Sequence, residues 1–381
     1  MRDWTLLLLL ALMPVVHAQE SAPVPAMARY VPPTVDEVMA IPAPLRELVQ
    51  ARVVAPGGPR DAQLQRLVSL MFDQDGLGLE YDHQVTRSVA DTWQARRANC
   101  LSYTLLFVAL SRELGFDARV QEVGEVLAWY QEAGFVYNAS HVNVSLRMGA
   151  QRRSVDFDRS ILAARGTPSI IGMDRAMAHF HNNRGAELMA DGRLDDALAS
   201  LQAALQADGA FNPAWNNLGV LLQRQGDADG AERAFLTALR LDPDHVAALS
   251  NIVALYRRRG DGRLEQRYAW RLSNIQRKDP FQRFMVALEC EHGGDYACAI
   301  SEYRQALRGN SREHLFRFGL ARAYYLSGDI ARAEHEMGKA LAYADSAQLR
   351  QVYQRKLDHL RHWQRQDAGA ALRRSPPPRT H

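Results

Sequence analysis

Five glycines, Gly192, Gly226, Gly260, Gly294 and Gly328, recur every 34 residues. A fixed period of that length constrains a fold strongly, because each period is one supersecondary unit whose apolar surface only the next unit can cover. Small or apolar residues keep the same register. Gly185, Gly219, Val253, Ala287 and Ala321 form one series, and Ala197, Ala231, Ala299 and Ala333 a second, which Glu265 interrupts. Small side chains let helices approach closely, and Phe235 and Tyr303 are large enough to fill the space between units. Five units fit between Ala178 and Ala347, the third irregular at Glu265. The second half is therefore expected to be an all-α solenoid, capped by a helix over 348–366 and followed by a disordered tail over 367–381.

In the second unit Trp215, Leu218, Gly219, Leu222, Ala231, Phe235, Ala238 and Pro243 occupy eight signature positions, and the array resembles the tetratricopeptide repeats. That resemblance implies a groove for a protein or peptide partner. Asn183, Asn217 and Asn251 share one position in the first three units, and hydrogen bonding between neighbouring repeats is the preferred reading over partner contact. His179 and His181 are two apart on a helix and face different ways, which argues against a metal site. His359 and His362 share a face without a further ligand and read as solvated.

The first half is organised around Cys100. Beyond it Leu105, Leu106, Ala109, Leu110 and Leu114 recur at spacings of three and four, an amphipathic helix that Gly115 stops. Unpaired N–H groups and the positive end of the dipole at a helix N-terminus stabilise a thiolate. Between Cys100 and Met177 the sole histidine is His141, opening the alternating strand His141–Leu146. A second short strand follows and carries Asp156.

Arg97-Ala98-Asn99-Cys100, Gly115-Phe116-Asp117-Ala118-Arg119-Val120, His141 and Asp156 resemble the transglutaminase-like superfamily, a rearranged relative of the papain-like peptidases. The resemblance covers about residues 64–162 and implies an α+β domain over 34–168 in which Cys100 is the nucleophile, His141 the base and Asp156 the group orienting the imidazole. Asp158 is the rival for the third role, sharing a strand face with Asp156. Gln94, six residues before the cysteine, is a candidate oxyanion donor beside the Cys100 N–H. The family places glycine where this chain has Ala98, so alanine is strained there if the site needs a positive φ.

Before this domain, Pro42 and Pro44 break a helical stretch over Val35–Val53, and a helix follows over Asp61–Phe72. Asp73–Gly78 has alternating oxygen donors but lacks the later glutamate of an EF-hand and reads as a turn rather than a metal loop. No metal or cofactor is expected. The 46 basic and 43 acidic residues are scattered, so nothing points to nucleic acid.

Arg2, the apolar run Leu6–Leu12 and Val16-His17-Ala18 read as a signal peptide over 1–18, followed by a linker over 19–33. The mature chain is expected in the periplasm or secreted, with no membrane span. In an oxidising compartment Cys290 and Cys298 are candidates for a disulfide, with two small packing residues as the alternative. These readings converge on an exported cysteine acyl-transfer enzyme, a peptidase or amidase ahead of a transamidase, whose repeats recruit a protein substrate. Nothing in the sequence separates water from an amine as the acceptor. The alternatives are a non-catalytic peptide-binding scaffold with an inactive first domain, and a purely structural envelope scaffold.

Overall fold

The computed structural model describes residues 30–361 apart from 74, 83, 133–134, 149–150, 156–167 and 345–348, with backbone alone for 124–132, 135–140, 148 and 151. The leader, most of the 19–33 linker, Asp156, Asp158, His362 and the 367–381 tail lie outside the described residues.

The N-terminal region is mixed α/β and surrounds one helix, α5 (Cys100–Glu113). Asn99 caps it, its side chain accepting from the Ser102 N–H at 2.9 Å. Every residue from Leu101 to Ser111 is buried. The leucine spacing alone predicts a helix with one apolar face; Leu101, Phe107 and Val108, together with small polar Ser102, Thr104 and Ser111, are buried as well, so the helix is enclosed on its other faces too. Helices α1 (Val35–Met39), α3 (Arg60–Phe72) and α4 (Val89–Ala95) pack against it. Between α1 and α3, Pro42 starts the short α2 (Ala43–Val49), which runs into a π-helical turn over Gln50–Val54.

Two short strands, β1 (Glu80–Tyr81) and β2 (Arg97–Ala98), pair in parallel just before α5. The main sheet is antiparallel, in the order β5 (Gln151–Val155), β4 (Phe135–Met148), β3 (Ala118–Glu132) and β6 (Ser169–Ile170). β4 begins six residues before His141, so the histidine lies within the strand, opposite Val123. Val120, Val142, Val144 and Leu146 join the leucines of α5 in one core.

Beyond the sheet the chain is helical. The pairs are α6 (Met173–Ala190) with α7 (Leu194–Ala207), α8 (Asn212–Arg224) with α9 (Ala228–Leu241), and α10 (Val246–Arg259) with α11 (Gly262–Lys278). Two more follow, α12 (Pro280–His292) with α13 (Tyr296–Gly309) and α14 (His314–Leu326) with α15 (Ile330–Tyr343), and a helical segment covers 349–361. The five period glycines sit at the turn within each pair with φ between +74° and +87°, a conformation in which a β-carbon is strained. First helices of successive pairs lie against one another, α6 on α8, α8 on α10 and α12 on α14, more closely than second helices do. The array therefore curves with its first helices on the inner face.

The stacking is interrupted once. Glu265 stands where the other units have alanine, and it turns outward to pair with Arg257 at 2.7 Å. Helix α11 has no buried residue, Trp270 on it is 69% exposed, and α11 meets α12 far more sparsely than the other second helices meet the first helix of the next pair. From α12 onward a separate core runs from Phe281 to Leu360.

The α/β region and the first units share structure. Ala176, Met177 and Phe180 of α6 belong to the same core as α5. Glu122 of β3 accepts from Arg175 at 3.2 Å and meets His179 Nε2 at 3.0 Å, and Arg175 also pairs with Asp208 at 2.9 Å. Glu187 accepts from the Thr86 N–H at 2.7 Å. Strand β4 lies against the inner helices α8 and α10.

Candidate functional site

Cys100 is the first residue of α5, free and partly exposed. The loop before it is held from several sides. Asn99 donates through Nδ2 to the Thr86 hydroxyl at 2.7 Å, and the Arg87 N–H donates to the Ser102 hydroxyl at 2.8 Å. Buried Asp82 pairs with Arg87 at 2.9 Å, and its N–H donates to the Ala98 carbonyl. Burial raises the Asp82 carboxyl, but the Gln84 N–H and the charges of Arg87 and Arg97 outweigh it and hold the group below its ordinary value.

Ala98 is not the strained residue. It is fully buried within β2, opposite Tyr81, and the left-handed conformation falls on Arg96 at φ 54°, the C-cap of α4. Left-handed backbone costs a non-glycine residue on the order of 1 kcal/mol. Arg96 offsets it by stacking over the Trp93 ring at 3.7 Å and donating to the Leu77 carbonyl at 3.1 Å.

His141 is buried at 3% exposure. Its strand crosses α5: the Thr104 hydroxyl, one turn beyond Cys100, donates to the carbonyl of Val142 at 3.4 Å. The elements carrying the thiol and the imidazole thus pack together. Asp156 and Asp158, next along the chain from β5, fall outside the described residues. Gln94 is exposed on α4 and makes no hydrogen bond among the described residues. No cluster of histidine, cysteine, aspartate and glutamate able to hold a metal occurs among them either.

On the inner face of the array, buried asparagines link successive units. Asn217 donates to Asn182 at 2.9 Å, Asn216 to Asn217 at 3.2 Å, and Asn251 to Asn216 at 3.0 Å. Asn217 and Asn251 thus bond across repeats, while Asn182 rather than Asn183 is the member from the first unit. His179 and His181 part company: the first meets Glu122, and the second is buried with no partner for Nδ1 among the described residues. Desolvation lowers the His181 pKa to about 4. Cys290 and Cys298 are joined by a disulfide that ties α12 to α13, with Cα atoms 5.8 Å apart.

Toward the C-terminal end the inner face is open. A groove of about 760 Å³ lies between α14 and the 349–361 helix, floored by Phe318, Tyr325, Leu326 and Val352 and edged by Arg355, Lys356 and His359. The repeat period carried the signal: Phe318 and Val352, Arg322 and Lys356, and Tyr325 and His359 are each 34 residues apart. The terminal helix is in this respect the first helix of a further unit, and its Tyr353, Leu357 and Leu360 are buried in the core of the last pairs.

Two stretches, 188–256 and 293–348, match family models of the tetratricopeptide repeat. The C-terminal region is thus a tetratricopeptide-repeat region, and the interval between the matches holds the break at α11 and α12. No curated protein matches the sequence. Among solved structures, YrrB, described as a tetratricopeptide protein with an unusual peptide-binding site, is 17% identical over 47% of this chain and 92% of its own, at a TM-score of 0.25. Pseudomonas aeruginosa pilF is 16% identical over 49% and 89%, at 0.26. A chain of the Cut9–Hcn1 assembly is 18% identical over 46% of this chain at 0.26, and the match spans 35% of its length. Likeness at these scores carries no weight for function; the repeat assignment stands on the family models and the glycine period.

Proposed function

We propose that the protein is an exported binding scaffold whose repeat array captures a protein or peptide segment. One observation carries this reading. The inner helices α8 and α10 of the first units have the protein's own β4 against them, whereas the inner face at α14 and the terminal helix is an open groove of ligand size. Repeat arrays of this kind present a long inner surface for partners, and among the described residues its C-terminal stretch is open. The apolar leader supports export, and so does the Cys290–Cys298 disulfide, a bond that persists in oxidising compartments. Selecting a displayed random-peptide library on the whole protein tests the binding role; enrichment of no family of sequences would remove it.

A second reading is favoured by Cys100, a free and partly exposed thiol at the start of α5, packed beside the strand of His141. In it the first domain transfers acyl groups. His141 takes the proton of Cys100, the sulfur attacks an amide carbonyl carbon, and the Cys100 N–H holds the oxyanion. The departing amine takes the proton from His141, and water or a second amine resolves the thioester, with Asp156 orienting the imidazole. Iodoacetamide labelling of Cys100 near neutral pH, compared between wild type and His141→Ala, distinguishes the two readings. Faster labelling in the wild type supports catalysis; equal, slow labelling leaves the scaffold alone.

A further inference from the structure

The open groove at the end of the array has a floor and rim of different chemistry, and together they define what it takes. Its floor is apolar and fixed in advance. Phe318 stacks on Tyr353 at 5.3 Å between ring centroids, and the Tyr353 hydroxyl meets His314 Nδ1 at 3.0 Å. A floor held this way gives up little freedom when something binds to it. The rim is cationic. Lys356 lies over the Phe318 ring at 5.5 Å, with Arg355 and His359 on the same helix, all three exposed. Arg322, the fourth basic residue, is already bound to Glu291. Among the described residues no carboxylate lines the groove, and neither Arg355 nor Lys356 pairs with one.

Resting on the scaffold reading, we infer that this groove binds an acidic peptide segment: an apolar anchor seated on Phe318, Tyr325 and Leu326, with aspartate or glutamate beside it facing Arg355 and Lys356. Charge decides between this occupant and its rivals. The chain's own last residues, 362–381, carry Arg365, Arg373, Arg374 and Arg379 against the single acidic Asp367, so they repel the rim. Strand β4, which lies against the inner helices of the first units, comes from within this protein; the acidic segment comes from another.

The test uses the whole protein and three fluorescein-labelled peptides of about 16 residues, sharing one leucine and phenylalanine pattern and bearing glutamate, glutamine or lysine at the remaining positions. Fluorescence anisotropy at low and high salt is the readout. Expected are binding of the glutamate peptide on the order of tenfold tighter than the glutamine one, weakening with salt, and loss of that preference in Arg355→Glu/Lys356→Glu. Both substitutions are at exposed positions, and an unchanged melting curve shows that the variant is folded. Equal binding of all three peptides overturns the acidic class while leaving a peptide-binding scaffold. Tighter binding of a synthetic 362–381 peptide than of the glutamate probe, or a dimer by light scattering that the charge reversal dissolves, replaces the foreign occupant with the tail or a second copy. Failure of all three peptides beside a successful library selection overturns this inference alone, and failure of both ends the scaffold reading as well.

Discussion

At Gly219 the approach of α8 to α9 is set by the absence of one methyl group. A β-carbon there would lie 2.5 Å from the ring of Phe235, which is fully buried and has no room to retreat. Alanine gains up to about 1 kcal/mol of helix propensity, but overpacking costs about 1–3 kcal/mol, so the clash wins. Gly219→Ala is expected to lower the melting temperature, and Gly219→Ala/Phe235→Leu to recover part of the loss; an unchanged single variant removes the packing argument. His181 acts through protons instead. Its pKa is about 4 when folded and about 6.5 when unfolded, so the unfolded chain takes up a proton first as the pH falls. Stability should decline from pH 6.5 to about 4 and level off below, by roughly 3 kcal/mol in all. Urea titrations of His181→Leu across that range should show the slope flattened; a parallel slope assigns it to other groups.

Among elements, the tie between β3 and α6 rests on Glu122. Burial raises its carboxyl, but the bond and charge of His179 and the charge of Arg175 prevail and hold it at about 2. A depressed carboxyl contributes stability above its unfolded pKa of about 4.3 and loses it as the pH falls toward 2. Glu122→Gln should therefore cost about 2 kcal/mol at neutral pH and little at pH 2, read from urea melts at both. An equal cost at both would assign the effect to shape rather than charge. Elements are also the scale at which the sequence was most informative. Period glycines mark the turns because only a residue without a β-carbon takes φ near +80° at no penalty, and that requirement is local. The start of α5 at Cys100 was legible for the same reason, in the apolar run that follows it, while the Asn99 cap emerged only with the structure. The cover of α8 and α10 by β4 was not, because a periodicity says which face of a helix is buried and nothing about what buries it. Asparagines one position apart, Asn182 and Asn183, are about 100° apart round the helix, so choosing the bonded one needs the packing angle between units. The acidic partners proposed for His141 remain a matter of resemblance, since Asp156 and Asp158 lie outside the described residues.

For the whole molecule, the break between α11 and α12 matters most. Repeat arrays hold together through nearest-neighbour interfaces, and a weak one divides the cooperative unit. Calorimetry is expected to resolve two transitions, one for the α/β region with the first units and one for the block from Phe281 to Leu360. The disulfide lies wholly in the second block and closes a loop of eight residues, worth about 2.5 kcal/mol by chain entropy. Dithiothreitol should lower one transition and leave the other in place; a single peak moving as one would show that the break transmits stability after all.

Helix α6 has a practical bearing on how this protein can be taken apart. A knife placed at Pro168, where the sequence suggests a border, leaves Met177 and Phe180 on one piece and the pocket they plug on the other. Each piece would carry a greasy wound and clump. The smallest separable portion on the N-terminal side runs past that border through the third helix pair, and the clean incision lies instead between Lys278 and Pro280.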